Sequence, residues 1–112
     1  MELLQDMQEY IEKLIKAIEM TGDKFGESKP VEAYGILGHM AEGLVWLTQG
    51  VTAYKDNVEE LDIETARLNE LLGEMVDAME SQDEILIMDL LEYELKEVLE
   101  EWNDVLVQKT AH

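Results

Sequence analysis

The chain has 112 residues, room for one domain, and 46% of them are hydrophobic, enough for a core and too many for wholesale disorder. Against 27 Asp and Glu stand 8 Lys and Arg, a formal net charge of −19, which repels nucleic-acid phosphates and disfavours anionic membranes. Cysteine is absent, and disulfides, thiolate nucleophiles and cysteine-based zinc sites go with it.

The first residues, Met1-Glu2-Leu3-Leu4-Gln5-Asp6, are acidic and amphipathic, whereas a secretory signal opens on bases followed by an unbroken apolar stretch. A cytoplasmic protein is expected. Leu4, Met7, Ile11, Leu14 and Ile18 alternate spacings of three and four, which predicts a helix over about 2–20. Gly22 can close that helix in the left-handed conformation, leaving Thr21 to Lys29 as a loop. Pro30 suits the first turn of a second helix, where its missing N–H has no intrahelical partner.

The second helix is expected over about 30–55, with Ala33, Ile36, Leu37, Met40, Leu44, Leu47, Val51 and Tyr54 on its apolar face. Between Ala33 and Tyr54 the only formal charge is Glu42, so the stretch imitates a membrane span. Its His39, Gln49, two Thr and four Gly suit a buried bundle helix better. A second line runs beside that face: Gly35, His39, Gly43, Trp46 and Gly50. Each helical glycine costs about 1 kcal/mol relative to alanine, so three on one line need a reason. Either they let a neighbouring helix approach closely, or they floor a groove for a partner's helix, with Trp46 and His39 as its walls.

Asp56 to Leu61 reads as a short acidic connection, and a third helix as 62–80, with Leu68, Leu71, Leu72, Met75, Val76 and Met79 as its stripe. Ser81-Gln82-Asp83-Glu84 matches an S-x-x-E capping box and opens a fourth helix over about 82–108. Met88, Leu91, Leu95, Val98, Trp102 and Val105 form its stripe, flanked by Ile87, Leu99 and Leu106. Four amphipathic helices with short connections predict an all-α, antiparallel up-down four-helix bundle occupying the whole chain. A homodimer completing or extending the bundle in trans carries the same pattern.

The charge is lopsided. Residues 59–112 hold seventeen acids and three bases, against ten and five in residues 1–58. Asp89, Glu94, Glu97, Glu100, Glu101 and Asp104 make an acid wall on the last helix. It is either a solvated face or a docking surface for a basic partner. Tyr93, Leu86 and Leu90 read as apolar residues on the outer side of the same helix, and suggest contact.

Catalytic chemistry finds little support. His39 and His112 are the only histidines, and the paired Glu-x-x-His of a di-iron bundle is missing, so no metal or other cofactor is expected. His39, with Gly35 and Gly43 four residues to either side, could accept a phosphoryl group, but the usual His-x-x-Lys-Gly setting is absent. Ser81 is the only serine between the last two helices, and no phosphate-cradling loop follows a strand. Glu74-x-x-Asp77 and Glu94-x-x-Glu97 resemble the magnesium-binding pairs of MazG-like nucleotide pyrophosphohydrolases. Their helical phase turns them away from the apolar stripes, whereas such ligands must converge inside the bundle.

The run Ala78 to Asp83, followed by Asp89-Leu90-Leu91-Glu92-Tyr93-Glu94-Leu95 and Glu100-Glu101-Trp102, resembles the C-terminal half of small acidic helical proteins of Gram-positive bacteria. The resemblance implies no defined activity and, for some members, the company of motility genes. Many of those proteins carry a proline where this chain has Glu97, so a straighter last helix is expected here. In layout alone the chain is also similar to flagellar and type III export chaperones. The function expected is a non-enzymatic acidic module that binds a helical or basic segment of a protein partner, a chaperone or assembly factor. His39, Gly43, Trp46 and Gly50 would make apolar contact, and Glu92, Tyr93, Glu94 and Glu97 polar and charged contact. The alternative is the magnesium-dependent pyrophosphohydrolase, and a third reading is a DNA mimic using the acid wall.

Overall fold

A computed structural model describes residues 2–110, so His112 lies outside the described residues. Helix α1 spans Glu2–Gly26, α2 Pro30–Asn57 and α3 Ala66–Glu80. The last arm begins as α4, Glu84–Asp89, passes through a π-turn at Leu90–Leu95 and continues as α5, Lys96–Thr110. Helix α1 packs on α2 and α5, α2 on α3, and α3 on α4 and the π-turn, which makes an antiparallel up-down four-helix bundle. At 1.5 Å per residue the 28 residues of α2 span about 42 Å, close to the 45 Å long axis of the molecule.

The alternating apolar spacings on α1 place Leu4, Met7, Ile11, Leu14 and Ile18 in the core, as the sequence predicts. The helix does not stop at Gly22. A β-carbon there would stand 3.0 Å from Met88 Cε, so this glycine admits the last arm instead of turning the chain. Thr21 is fully buried and donates its hydroxyl to Ala17 O at 2.8 Å, which satisfies the hydroxyl inside the helix. The real stop comes at Ser28, with φ 62°. Ser28 N–H bonds Phe25 O and Lys29 N–H bonds Lys24 O, the paired bonds of a Schellman cap without its usual glycine. Pro30 then sits in the first turn of α2 as expected, and Phe25 meets Tyr34 edge to face across the corner, ring centres 5.7 Å apart.

The third helix starts at Ala66, not at Asp62. Glu60-Leu61-Asp62-Ile63-Glu64 alternates exposed and buried, the two-residue period of extended chain. Leu61 and Ile63 are 5% and 3% exposed and close the end of the core that the short α3 does not reach. Lys55 Nζ donates to Ile63 O at 3.0 Å and fastens this segment to α2.

The turn between α3 and α4 corrects the expected capping box. Gln82 takes φ 57°, and Gln82 N–H and Asp83 N–H close a second Schellman cap on Met79 O and Ala78 O. With position 82 in that conformation, Asp83 is the residue that caps α4, its Oδ1 accepting from Leu86 N–H at 3.0 Å. Ser81 turns back and donates to Ala78 O.

The π-turn has a cause in the spacing. Ile87, Leu91, Leu95 and Leu99 recur every four residues and are all buried. Three such steps would carry a stripe about 120° round an α-helix. A wider turn, in which Lys96 N–H reaches Leu91 O five residues back, returns the stripe to the core. Trp102 and Leu106 follow on the corrected face, while Met88 and Val105 are left half-buried. Glu97 continues the helix without a break, but the arm is not uniformly α-helical.

Candidate functional site

The second line on α2 divides. Gly43 is buried under the ring of Tyr10, whose Cε2 and Cζ lie 2.6 Å from where a β-carbon would stand. At Gly50 the neighbour is Met7 Sδ, 3.0 Å from the same point. The groove that these two glycines suggested is therefore filled from within by α1, and their smallness serves the approach of that helix. Gly35 and His39 are exposed, farther along α2. Trp46 is 40% exposed and meets Tyr10 edge to face, with ring centres 5.3 Å apart and planes at 79°. His39 and Trp46 thus share a helix face seven residues apart, with no open groove between them.

Glu92, Tyr93 and Glu97 are exposed on the last arm, Tyr93 by 70%. Glu94 is half-buried and accepts a 2.6 Å charge-assisted bond from Arg67 Nη2, which ties α3 to the π-turn. That carboxylate and the charge of Glu70 and Glu74 hold the Arg67 guanidinium above its ordinary pKa, the hydrogen bond to Glu94 being the largest cause. These four residues stay on a separate arm from His39 and Trp46.

Beside them lies a cleft the sequence did not announce. It encloses about 340 Å³ between α3 and α4 and is lined by Glu74, Asp77, Ala78, Ser81, Leu86 and Leu90. Leu90 is not on the outer surface but 5% exposed at the base of this cleft, while Leu86 is 43% exposed on its wall and Ile85 next to it 79%. The cleft thus combines an apolar floor, Ala78 and Leu90, with two carboxylates, Glu74 and Asp77.

A larger, more polar cleft of about 710 Å³ opens at the end of the bundle between the 58–65 connection and α5. Lys55, Lys109, Glu60, Asp62 and Glu64 stand around it. At its edge Glu59 Oε1 accepts from Tyr54 Oη at 3.0 Å and pairs with Lys109 Nζ at 3.2 Å. The bond from Lys109, then that from Tyr54, hold the Glu59 carboxyl below its ordinary pKa. Burial first, and the Glu59 hydrogen bond second, push the Tyr54 phenol up.

Glu74, Asp77 and Glu97 face water and Glu94 is engaged by Arg67, so the pairs likened to magnesium ligands do not converge. Among the described residues no three His, Asp or Glu side chains gather closely enough to hold a metal ion. None of the described helices is long and apolar enough to cross a membrane, and α2 spends its apolar face on the core.

Neither a curated protein nor a solved structure matches the chain. A family model does, and it supports the coarser part of the resemblance carried by the last arm, a small domain family without a defined activity. Matched over residues 2–105, the chain belongs to the family described as Domain of unknown function (DUF8042).

Proposed function

We propose that this domain is a non-enzymatic protein-binding module whose α3–α4 cleft takes a basic amphipathic helix of a partner, in the manner of a chaperone or assembly factor. The observation that supports it is the cleft itself: Ala78, Leu86 and Leu90 offer an apolar seat, and Glu74 and Asp77 stand at its rim. Burying one leucine-sized anchor there contributes about 1.5–3 kcal/mol. Lysines one helical turn to either side of that anchor would meet carboxylates, and the acid wall beyond would speed the encounter. The exposed ring of Tyr93 supplies further contact on the same arm. The likeness of the Asp89–Leu95 run to proteins some of which accompany motility genes directs the search for partners toward helices of motility or export assemblies.

Calorimetric titration with an amphipathic Leu/Lys peptide tests the reading. Binding that weakens about tenfold or more in Leu86→Asp supports it, as expected for loss of a central anchor contact. Equal binding of a scrambled peptide of the same composition would reduce the interaction to bulk charge and sink the proposal. So would a thermal shift produced by Mg²⁺ with a nucleoside triphosphate and absent without the nucleotide, which is the signature of the pyrophosphohydrolase.

A further inference from the structure

Helix α1 places Asp6, Glu9, Tyr10 and Lys13 on one face, at spacings of three, one and three. That face and Trp46 of α2 wall a cavity of about 350 Å³. Its two rings touch each other edge to face, at 79° with centres 5.3 Å apart, so a planar group enters beside the pair and lies on the aromatic surface they leave open. The arrangement has a structural cause, because Tyr10 reaches Trp46 only by lying over the bare backbone of Gly43. Two carboxylates and one ammonium give the cavity a net negative lining. Trp46 is 40% exposed, far more than Trp102 at 5%, and so is open to a ligand.

We infer that the cavity walled by the Tyr10–Trp46 pair, Asp6 and Glu9 is a binding site for a guanidinium group, an arginine side chain presented by a peptide or protein. A guanidinium is flat, weakly hydrated and attracted to aromatic faces, and its fork of donors matches a carboxylate such as Asp6 or Glu9. An ammonium is compact and strongly hydrated and gains less from the rings. Lys13 is the competing cation at the rim, and its charge sets the affinity below what the rings and acids alone would give. The site lies on α1 and α2 and stands whether or not the α3–α4 cleft takes a helix.

The test is a titration of the ¹⁵N-labelled full chain with N-acetylarginine amide, reading the indole N–H of Trp46 against that of Trp102 at constant ionic strength. The Trp46 signal should move saturably and the Trp102 signal should not. N-acetyllysine amide should bind more weakly, and Asp6→Asn with Glu9→Gln should abolish the shift while leaving the rest of the spectrum in place. Lys13→Gln should tighten arginine binding about two- to fivefold, the scale of one exposed charge interaction. A Trp46 signal that does not move, that responds equally to the lysine compound, or that is insensitive to Lys13→Gln would overturn the assignment.

Discussion

The ring of Tyr10 occupies the space that a side chain at Gly43 would need, and this contact lets α1 lie close against α2. Alanine at position 43 would gain about 1 kcal/mol of helix propensity and lose about 1–3 kcal/mol to overpacking. Gly43→Ala should therefore destabilise, by about 1 kcal/mol in urea denaturation. Gly38 and Gly73 have open space where a β-carbon would stand. Alanine at either should stabilise by about 0.5–1 kcal/mol, and equal effects at positions 38 and 43 would contradict the Tyr10 contact.

Glu59 gives the fold a defined response to acid. Its carboxyl is held below the ordinary 4.5 by the bonds from Lys109 and Tyr54. The unfolded chain therefore takes up a proton first as pH falls, so this contribution is complete above 4.5 and is lost as pH drops through the depressed native value. Glu59→Gln should be less stable than the parent at neutral pH, with the difference shrinking below that point in melting curves taken across the acid range. For Tyr54 the sign is opposite: a raised phenol stabilises below its ordinary 10.0 and ceases to do so as pH climbs past it.

The start of α4 depends on Asp83 and not on Ser81. Asp83→Ala should cost about 1 kcal/mol, the usual value of an N-cap. Ser81→Ala should cost a few tenths at most, because its hydroxyl only returns to a carbonyl of its own helix. Comparable losses in the two variants, measured by chemical denaturation, would restore the capping box.

Ser28 and Gln82 hold φ of 62° and 57° where glycine is the usual residue. An L side chain in that conformation costs about 1 kcal/mol or more, and glycine there removes the strain at a smaller entropic cost. Ser28→Gly and Gln82→Gly should each stabilise by about 0.5–1 kcal/mol, and together they should add, being at separate turns. A loss of stability in either would contradict the cap at that turn.

The helices and their inward stripes were legible because apolar spacing of three and four is a direct projection of helical geometry. Leu4 to Ile18, and Leu68, Leu71 and Met75, needed nothing more, whereas Val76 of the expected third stripe is 41% exposed and Ala78, outside it, is buried. Errors fell where one residue type serves two geometries. Gly22 can end a helix or admit Met88, and only the packing partner decides. At 60–64 the alternation of acid and aliphatic residues was a usable sign of extended chain, hidden by the helical pattern on either side. The steady four-residue spacing from Ile87 to Leu99 likewise announced a turn wider than the α-helix. Trp46 and Tyr93 are exposed, as their helical phase off the main apolar stripes implied, whereas the α3–α4 cleft was not legible. Its seat is shared between Ala78 and Leu90 on different helices, and no single stretch of sequence displays it.

The most direct test of the binding-module account is a chemical-shift map of the ¹⁵N-labelled protein titrated with the amphipathic Leu/Lys peptide. The account predicts saturable changes centred on Ala78, Ser81, Leu86 and Leu90, retained in the presence of scrambled peptide. Changes spread evenly over the acidic surface, or confined to the far end around Lys55 and Lys109, would contradict it.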